Sequence, residues 1–198
     1  MIDINYFSWR DVRVTNITET CNDRNLYFTQ FMKWKEEEVL RLTLGNCLYD
    51  ELQTQLDDDG NLIEGADAKW SKLLHGDTYE ASVAHSNCDC SCDKHRWRGI
   101  YQQKYKRSYV ADYICREWNF DNETQVFSTG NQIADVSNSE TMSNMPNRIN
   151  NNNNFVNWVY NGFGCGDLSL CQYMRDKEED FPEWNIQQRH KHINIWNI

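Results

Sequence analysis

Residues 22–56 read NDRNLYFTQFMKWKEEEVLRLTLGNCLYDELQTQL, and this stretch decides the fold class. Asn22 and Asp23 are residue types whose side chains accept hydrogen bonds from the first free N–H groups of a helix, so either can open one. Phe28, Met32, Val39 and Leu42 then recur near one face at helical spacing, while Glu36, Glu37 and Glu38 are expected to face solvent or a partner. Gly45 supplies a stop after Leu44. Leu44, Cys47, Leu48, Leu52 and Leu56 restart the same period, and Asp57, Asp58, Asp59 and Gly60 end it. Two consecutive helices with a glycine between them predict a mainly α chain.

Further along, Trp70, Leu73 and Leu74 mark a short helix closed by Gly76. The longest predicted helix covers 95–118, where Trp97, Ile100, Tyr101, Ala111, Ile114 and Trp118 keep helical period. Tyr101, Tyr105, Tyr109 and Tyr113 follow one another at intervals of four, which on a helix sets them along one slowly drifting face. That stripe fits an intersubunit seam; the alternative is a core edge with its hydroxyls in water. From about 127 to 154 the chain is rich in Asn, Ser and Thr, and the five asparagines at 150–154 read as loop. A last helical stretch, 155–179, is interrupted by Gly162, Gly164 and Gly166, and Pro182 stops it.

The ends differ from the body. Residues 1–23 form an expected N-terminal arm with Tyr6, Phe7 and Trp9 among polar residues, and 184–198 form a tail carrying Ile193, Ile195, Trp196 and Ile198. Neither can make a core alone, so each must pack on the body (24–183) or on a neighbour. These seven apolar side chains and the four tyrosines are the candidate interface residues.

Over 198 residues the net charge is −10, and the densest basic stretch is only Lys104, Lys106 and Arg107. Gripping nucleic acid requires a basic stripe to neutralise phosphates, and none is visible. An acidic surface instead suits DNA that must pass without sticking. Glu36, Glu37 and Glu38 are the first candidates to line such a channel, with Asp57, Asp58 and Asp59 second. Aromatic residues reach 13% against a mean hydropathy of −0.83, a balance favouring a subunit that buries several faces against neighbours. Charges throughout the first thirty residues leave no apolar core for a signal peptide, and no apolar run approaches the ~18 residues of a membrane span, so the chain reads as cytosolic with no membrane partner.

Eight cysteines are present. Cys88, Cys90 and Cys92 form a C-x-C-x-C run between His85 and His95, and four of these five groups could close a tetrahedral zinc site. Structural zinc sites usually space their cysteines by two to four residues and present a second pair at a distance, however, which favours reduced thiols in a polar loop. Cys47 and Cys115 lie in helical patterns and are expected to pack as small apolar residues. No phosphate-cradling glycine–lysine loop, nucleophile elbow or zinc-protease motif appears, and the glycines at 162–166 lack the preceding strand of a dinucleotide site. The expectation is a non-enzymatic protein without a cofactor.

Five segments, taken in order, resemble the head–tail connector (ring adaptor) proteins of tailed bacteriophages, especially those of crAss-like and related Bacteroides-type phages. Leu44-Gly45-Asn46-Cys47-Leu48-Tyr49 resembles their LG-x-x-LY turn, and Trp70-Ser71-Lys72-Leu73-Leu74-His75-Gly76 their W-x-x-LL-x-G helix. Arg96-Trp97-Arg98-Gly99-Ile100 is similar to the WKGL that opens their long aromatic helix. Thr129-Gly130 with Asn138-Ser139-Glu140 resembles a polar crossing, and Asp180-Phe181-Pro182-Glu183-Trp184 a D-[YF]-P-E-[WF] ending. The match covers roughly 25–184; the cysteine-rich loop and the glycines at 162–166 depart from the pattern. The resemblance implies a helical-bundle subunit with an extended arm and tail. It further implies a homo-oligomeric ring, a dodecamer matching the portal, built into the virion after assembly in the host cytoplasm. Its partners would be the portal, other ring or tail proteins, and passing DNA that it does not bind tightly. A zinc-binding regulatory or interaction module using residues 85–95 is the alternative.

Overall fold

The computed structural model describes residues 2, 4–7, 22–80, 94–127, 130–133, 145–164 and 166–186. In chain order the elements are α1 (Asn22–Leu44), α2 (Asn46–Thr54), α3 (Ala68–His75), β1 (Asp77–Glu80), β2 (Lys94–Trp97), α4 (Tyr109–Glu123), β3 (Thr124–Phe127), β4 (Gly130–Ile133), α5 (Met145–Val156), a π-helical turn (Asn157–Asn161), β5 (Asp167–Leu168) and α6 (Leu170–Asp176). The chain is mainly helical, with a small mixed sheet ordered β1-β2-β5 and a separate hairpin β3-β4. β2 pairs antiparallel with β1, Asp77 opposite Trp97, and parallel with β5.

α1 is the spine. Phe28, Phe31, Met32, Lys35, Glu36, Val39, Leu40, Thr43 and Leu44 are buried along it, at the three- and four-residue spacing of one helical stripe. Gly45 has φ +85°, which ends α1 and lets α2 turn off with Leu48, Tyr49 and Leu52 inward. The acidic turn ends the region as the sequence indicates: Asn61 N–H donates to Asp57 Oδ1 at 2.8 Å, and Asp57 N–H donates back to the Asn61 carbonyl at 2.8 Å. α3 is capped by Asp67, whose side chain accepts from Lys69 N–H, and it buries Trp70, Leu73 and Leu74.

Among the described residues, most aromatic side chains lie inside the subunit. Trp70, Trp97, Tyr109, Tyr173, Phe28, Phe155 and Phe181 are the largest fully buried side chains. Trp97 stacks on Tyr173 with ring centroids 5.4 Å apart, and Trp70 meets Phe181 edge-on at 5.8 Å. A ring buries roughly 150–250 Å², so a chain short of aliphatic residues fills its interior this way.

Three sequence expectations need correction. The stretch 95–118 is no single helix: it holds strand β2, a turn bridged between Gln102 and Arg107, and only then α4. The last carbonyls of α3 lack partners within their own helix, and they capture this stretch instead. Ile100 N–H donates to the Leu73 carbonyl at 3.1 Å and Tyr101 N–H to that of Leu74 at 2.8 Å. The asparagines at 150–154 lie in α5, because Ile149, Phe155 and Val156 are buried and Asn152 accepts from Arg116 Nη1 at 2.8 Å. Packing against α4 overrides their poor helix propensity. The stretch 155–179 divides at Gly162, as the sequence indicates, and restarts at α6, where Ser169 and Gln172 form a reciprocal capping box. Cys115 is buried as expected, but Cys47 is exposed.

Candidate functional site

The three glutamates of α1 separate into three environments. A helix turns 100° per residue, so consecutive side chains cannot share a face. Glu36 is 3% exposed, and its Oε1 accepts from both the Tyr101 hydroxyl and Ile2 N–H, the latter at 2.8 Å. Burial raises its carboxyl above the ordinary range, the two hydrogen bonds only partly offsetting this. Burial, together with that carboxylate, pushes the Tyr101 phenol well above its ordinary value. Glu38 accepts from the Tyr113 hydroxyl and from Lys35 Nζ at 2.9 Å; burial acts to raise its carboxyl, but these two donors outweigh burial and hold it below 4.5. Glu37 alone points outward, 3.0 Å from Arg41 Nε.

Glu36 therefore cannot line a channel: its own subunit encloses it. Asp57, Asp58 and Asp59 are exposed on their turn. The tyrosine stripe is corrected on the same grounds. Tyr101, Tyr109 and Tyr113 are buried, their hydroxyls used by Glu36, Thr43 and Glu38, and only Tyr105 is exposed, at 57%. Because helix begins only at Tyr109, Tyr101 and Tyr105 are not on it, and the interval of four carries no common face.

The described residues nearest each end of the chain meet α1 and the Tyr101 turn beside it. Tyr6 packs edge-on against Tyr101 at 6.2 Å, under Lys106 Nζ at 5.1 Å, and Phe7 meets Phe28 at 5.4 Å. These two arm residues thus pack on their own subunit. At the other end, Trp184 Nε1 donates to the Thr43 carbonyl at 3.0 Å and Asn185 N–H to that of Leu44 at 3.4 Å. Glu36 and Thr43 are seven residues apart, about 10 Å along the helix. Trp9, Ile193, Ile195, Trp196 and Ile198 lie outside the described residues.

Of the zinc candidates, Cys88, Cys90 and Cys92 also lie outside the described residues, as does His85. His95 is buried on β2, with Nδ1 3.2 Å from Asp176 Oδ2, an oxygen that also accepts from the Tyr79 hydroxyl at 2.7 Å. Among the described residues no group of three metal-binding side chains converges, and no helix is long and apolar enough to cross a membrane.

One surface residue escaped sequence reading. Trp34 is 62% exposed, with Lys35 Nζ 4.6 Å over its ring. Its wheel position was the available signal: it lies about 140° from the mean direction of Phe28, Met32 and Val39. Compared with known protein families, with curated proteins and with solved structures, the chain shows no match.

Proposed function

We propose that this chain is a structural virion protein that forms a ring at a phage head–tail junction, joins the portal to tail components and extends the DNA channel. One observation carries the reading: four of the five segments that resemble connector proteins pack against one another. Trp184 is tied to Thr43 beside the first, Phe181 lies on Trp70 of the second, and Trp97 Nε1 donates to the Leu73 carbonyl at 2.9 Å, tying the third to the second. Segments spread over most of the chain thus form one packing nucleus. On this reading the exposed Asp57, Asp58 and Asp59 would border passing DNA. Mixing purified protein with portal tests the reading by native mass spectrometry: a closed ring of subunits on the portal is expected, and persistent monomer beside portal would sink it.

Two variants probe the contacts. Among the described residues Trp34 is the largest exposed ring, and buried tryptophans dominate the energetics of protein interfaces. Trp34→Ala should leave unfolding within about 0.5 kcal/mol of the parent yet weaken ring formation by about 2 kcal/mol or more. The tail is separable at a definite place, because Trp184 and Asn185 belong to the body. Removing residues 187–198 should preserve the helical circular dichroism spectrum and abolish incorporation into particles. Normal incorporation of the shortened chain would show that the tail does not dock.

A zinc-binding module is the second reading, favoured by Asp176 holding the ring of His95, the kind of support that metal-binding histidines receive. Elemental analysis of purified protein should find about one zinc per chain on this reading, and a zinc-free folded chain would dismiss it.

A further inference from the structure

The N-terminal segment lies in its seat like a peptide ligand. Residues Ile4–Tyr6 make one short 3-10 turn and belong to no sheet. The segment's contacts with the body include the Ile2 N–H on Glu36, the Tyr6 ring against Tyr101 and Lys106, and the Phe7 ring against Phe28. The seat is open along its sides. A cavity of about 590 Å³ is lined by Asn5, Tyr6 and Phe7 together with Arg107, Asp112 and Asn154 of the body. A second cavity, of about 170 Å³, lies between Tyr6 and the 60–62 turn.

The link to α1 is far longer than this seat demands. Residues 8–21 are 14 residues, which can reach about 45–50 Å when extended. Phe7 touches Phe28, and Phe28 lies about 9 Å along α1 from its start. A gap of roughly 20 Å or less therefore has a connector with more than twice the reach. Seat and segment keep the same contacts whichever copy supplies the segment, the condition under which identical elements exchange between protomers.

We infer that in the assembled ring residues 2–7 of each subunit occupy the Glu36–Tyr101–Phe28 seat of the adjacent copy, so that the seat is an interaction surface for a second copy of this chain. The inference rests on the ring reading above. Exchange converts an internal contact into a link between neighbours without creating a new interface, and it closes around a ring because each copy both gives and receives one segment.

The test uses the full chain carrying Asn5→Cys and Asn154→Cys, two polar positions that line the same cavity, one on the segment and one on the body. Equal amounts of ¹⁵N-labelled and unlabelled protein are assembled with portal and treated with a short bismaleimide. Mass spectrometry then reads the peptide pairs joining positions 5 and 154, which separates them from links at native cysteines. Exchange predicts that about half of these pairs combine one labelled and one unlabelled peptide. Rings whose pairs are all uniformly labelled or uniformly unlabelled would overturn the exchange and leave the ring standing. Mixed pairs in a species that is not a ring would support the exchange and sink the ring. If the double variant fails to assemble, Asn5→Cys subunits mixed with Asn154→Cys subunits give the same reading, because only exchange can then join the two positions.

Discussion

Gly99→Ala should destabilise the fold by at least about 3 kcal/mol, although it adds a single methyl group. Gly99 has φ +85°, and a Cβ there would lie 2.5 Å from the His75 carbonyl carbon, 2.6 Å from Gly76 N and 2.7 Å from the Leu74 carbonyl oxygen. All three are backbone atoms at the end of α3, which cannot rotate away as a side chain would. Moving them would also disturb the bonds from Ile100 and Tyr101 that satisfy that helix end, and the bond from Trp158 Nε1 to the Gly99 carbonyl at 3.2 Å. Gly65→Ala is the control. Its φ of +89° is equally unfavourable, but nothing lies within 4 Å of the added Cβ, so only the left-handed strain of about 1–2 kcal/mol is expected. Urea unfolding followed by tryptophan fluorescence measures both. Equal losses in the two variants would refute the idea that close backbone approach sets the requirement at position 99.

Glu36 should show opposite outcomes for two substitutions. Glu36→Ala removes the acceptor and leaves the buried Tyr101 hydroxyl stranded, a loss of about 1–3 kcal/mol, more if Ile2 N–H finds no water. Glu36→Gln keeps an acceptor oxygen of the same shape and removes a buried charge, so at pH 7 its stability should equal or exceed that of the parent. The pH dependence gives the sign. Burial raises the folded-state carboxyl above its ordinary 4.5, so the folded chain holds this proton more tightly than the unfolded chain. The parent's stability from this group therefore falls as pH rises from about 4.5 through the raised value, then levels. Glu36→Gln lacks that fall, so its advantage should grow over the same window and vanish below it. An advantage that shrank with rising pH would mean that the carboxylate is favoured in its seat.

How legible the molecule was depends on the range of the forces involved. Apart from Glu36 and Cys47, the path from Phe28 to Gly76 could be read directly: one buried stripe, two positive-φ glycines as helix ends, an acidic turn and a short Trp-Leu-Leu helix are all set by neighbours within a few residues. Cys115 follows the same rule. The site was less legible. The N-terminal aromatics were recognisable as segments needing a partner, but that Tyr6 finds Tyr101 and that Ile2 finds Glu36 depends on positions 34 to 95 residues apart. Three glutamates in a row look alike as a charge run, and only their neighbours across the fold make one buried, one half-covered and one free to meet Arg41.

Composition, the helical class and the location of the early helix ends were determined by the sequence alone, because capping, periodicity and left-handed glycine conformations act locally. Tertiary structure decided the rest. It turned 94–97 into a strand and 98–108 into turns because the open carbonyls of α3 offered partners that a continuing helix would have left unsatisfied. It made a helix of the asparagines at 150–154 because burying Ile149 and Phe155 against α4 outweighs their propensity. It drew Tyr101, Tyr109 and Tyr113 inward because Glu36, Thr43 and Glu38 on α1 offered their hydroxyls hydrogen-bond partners, and an interval of four residues says nothing about partners 65 to 75 residues away.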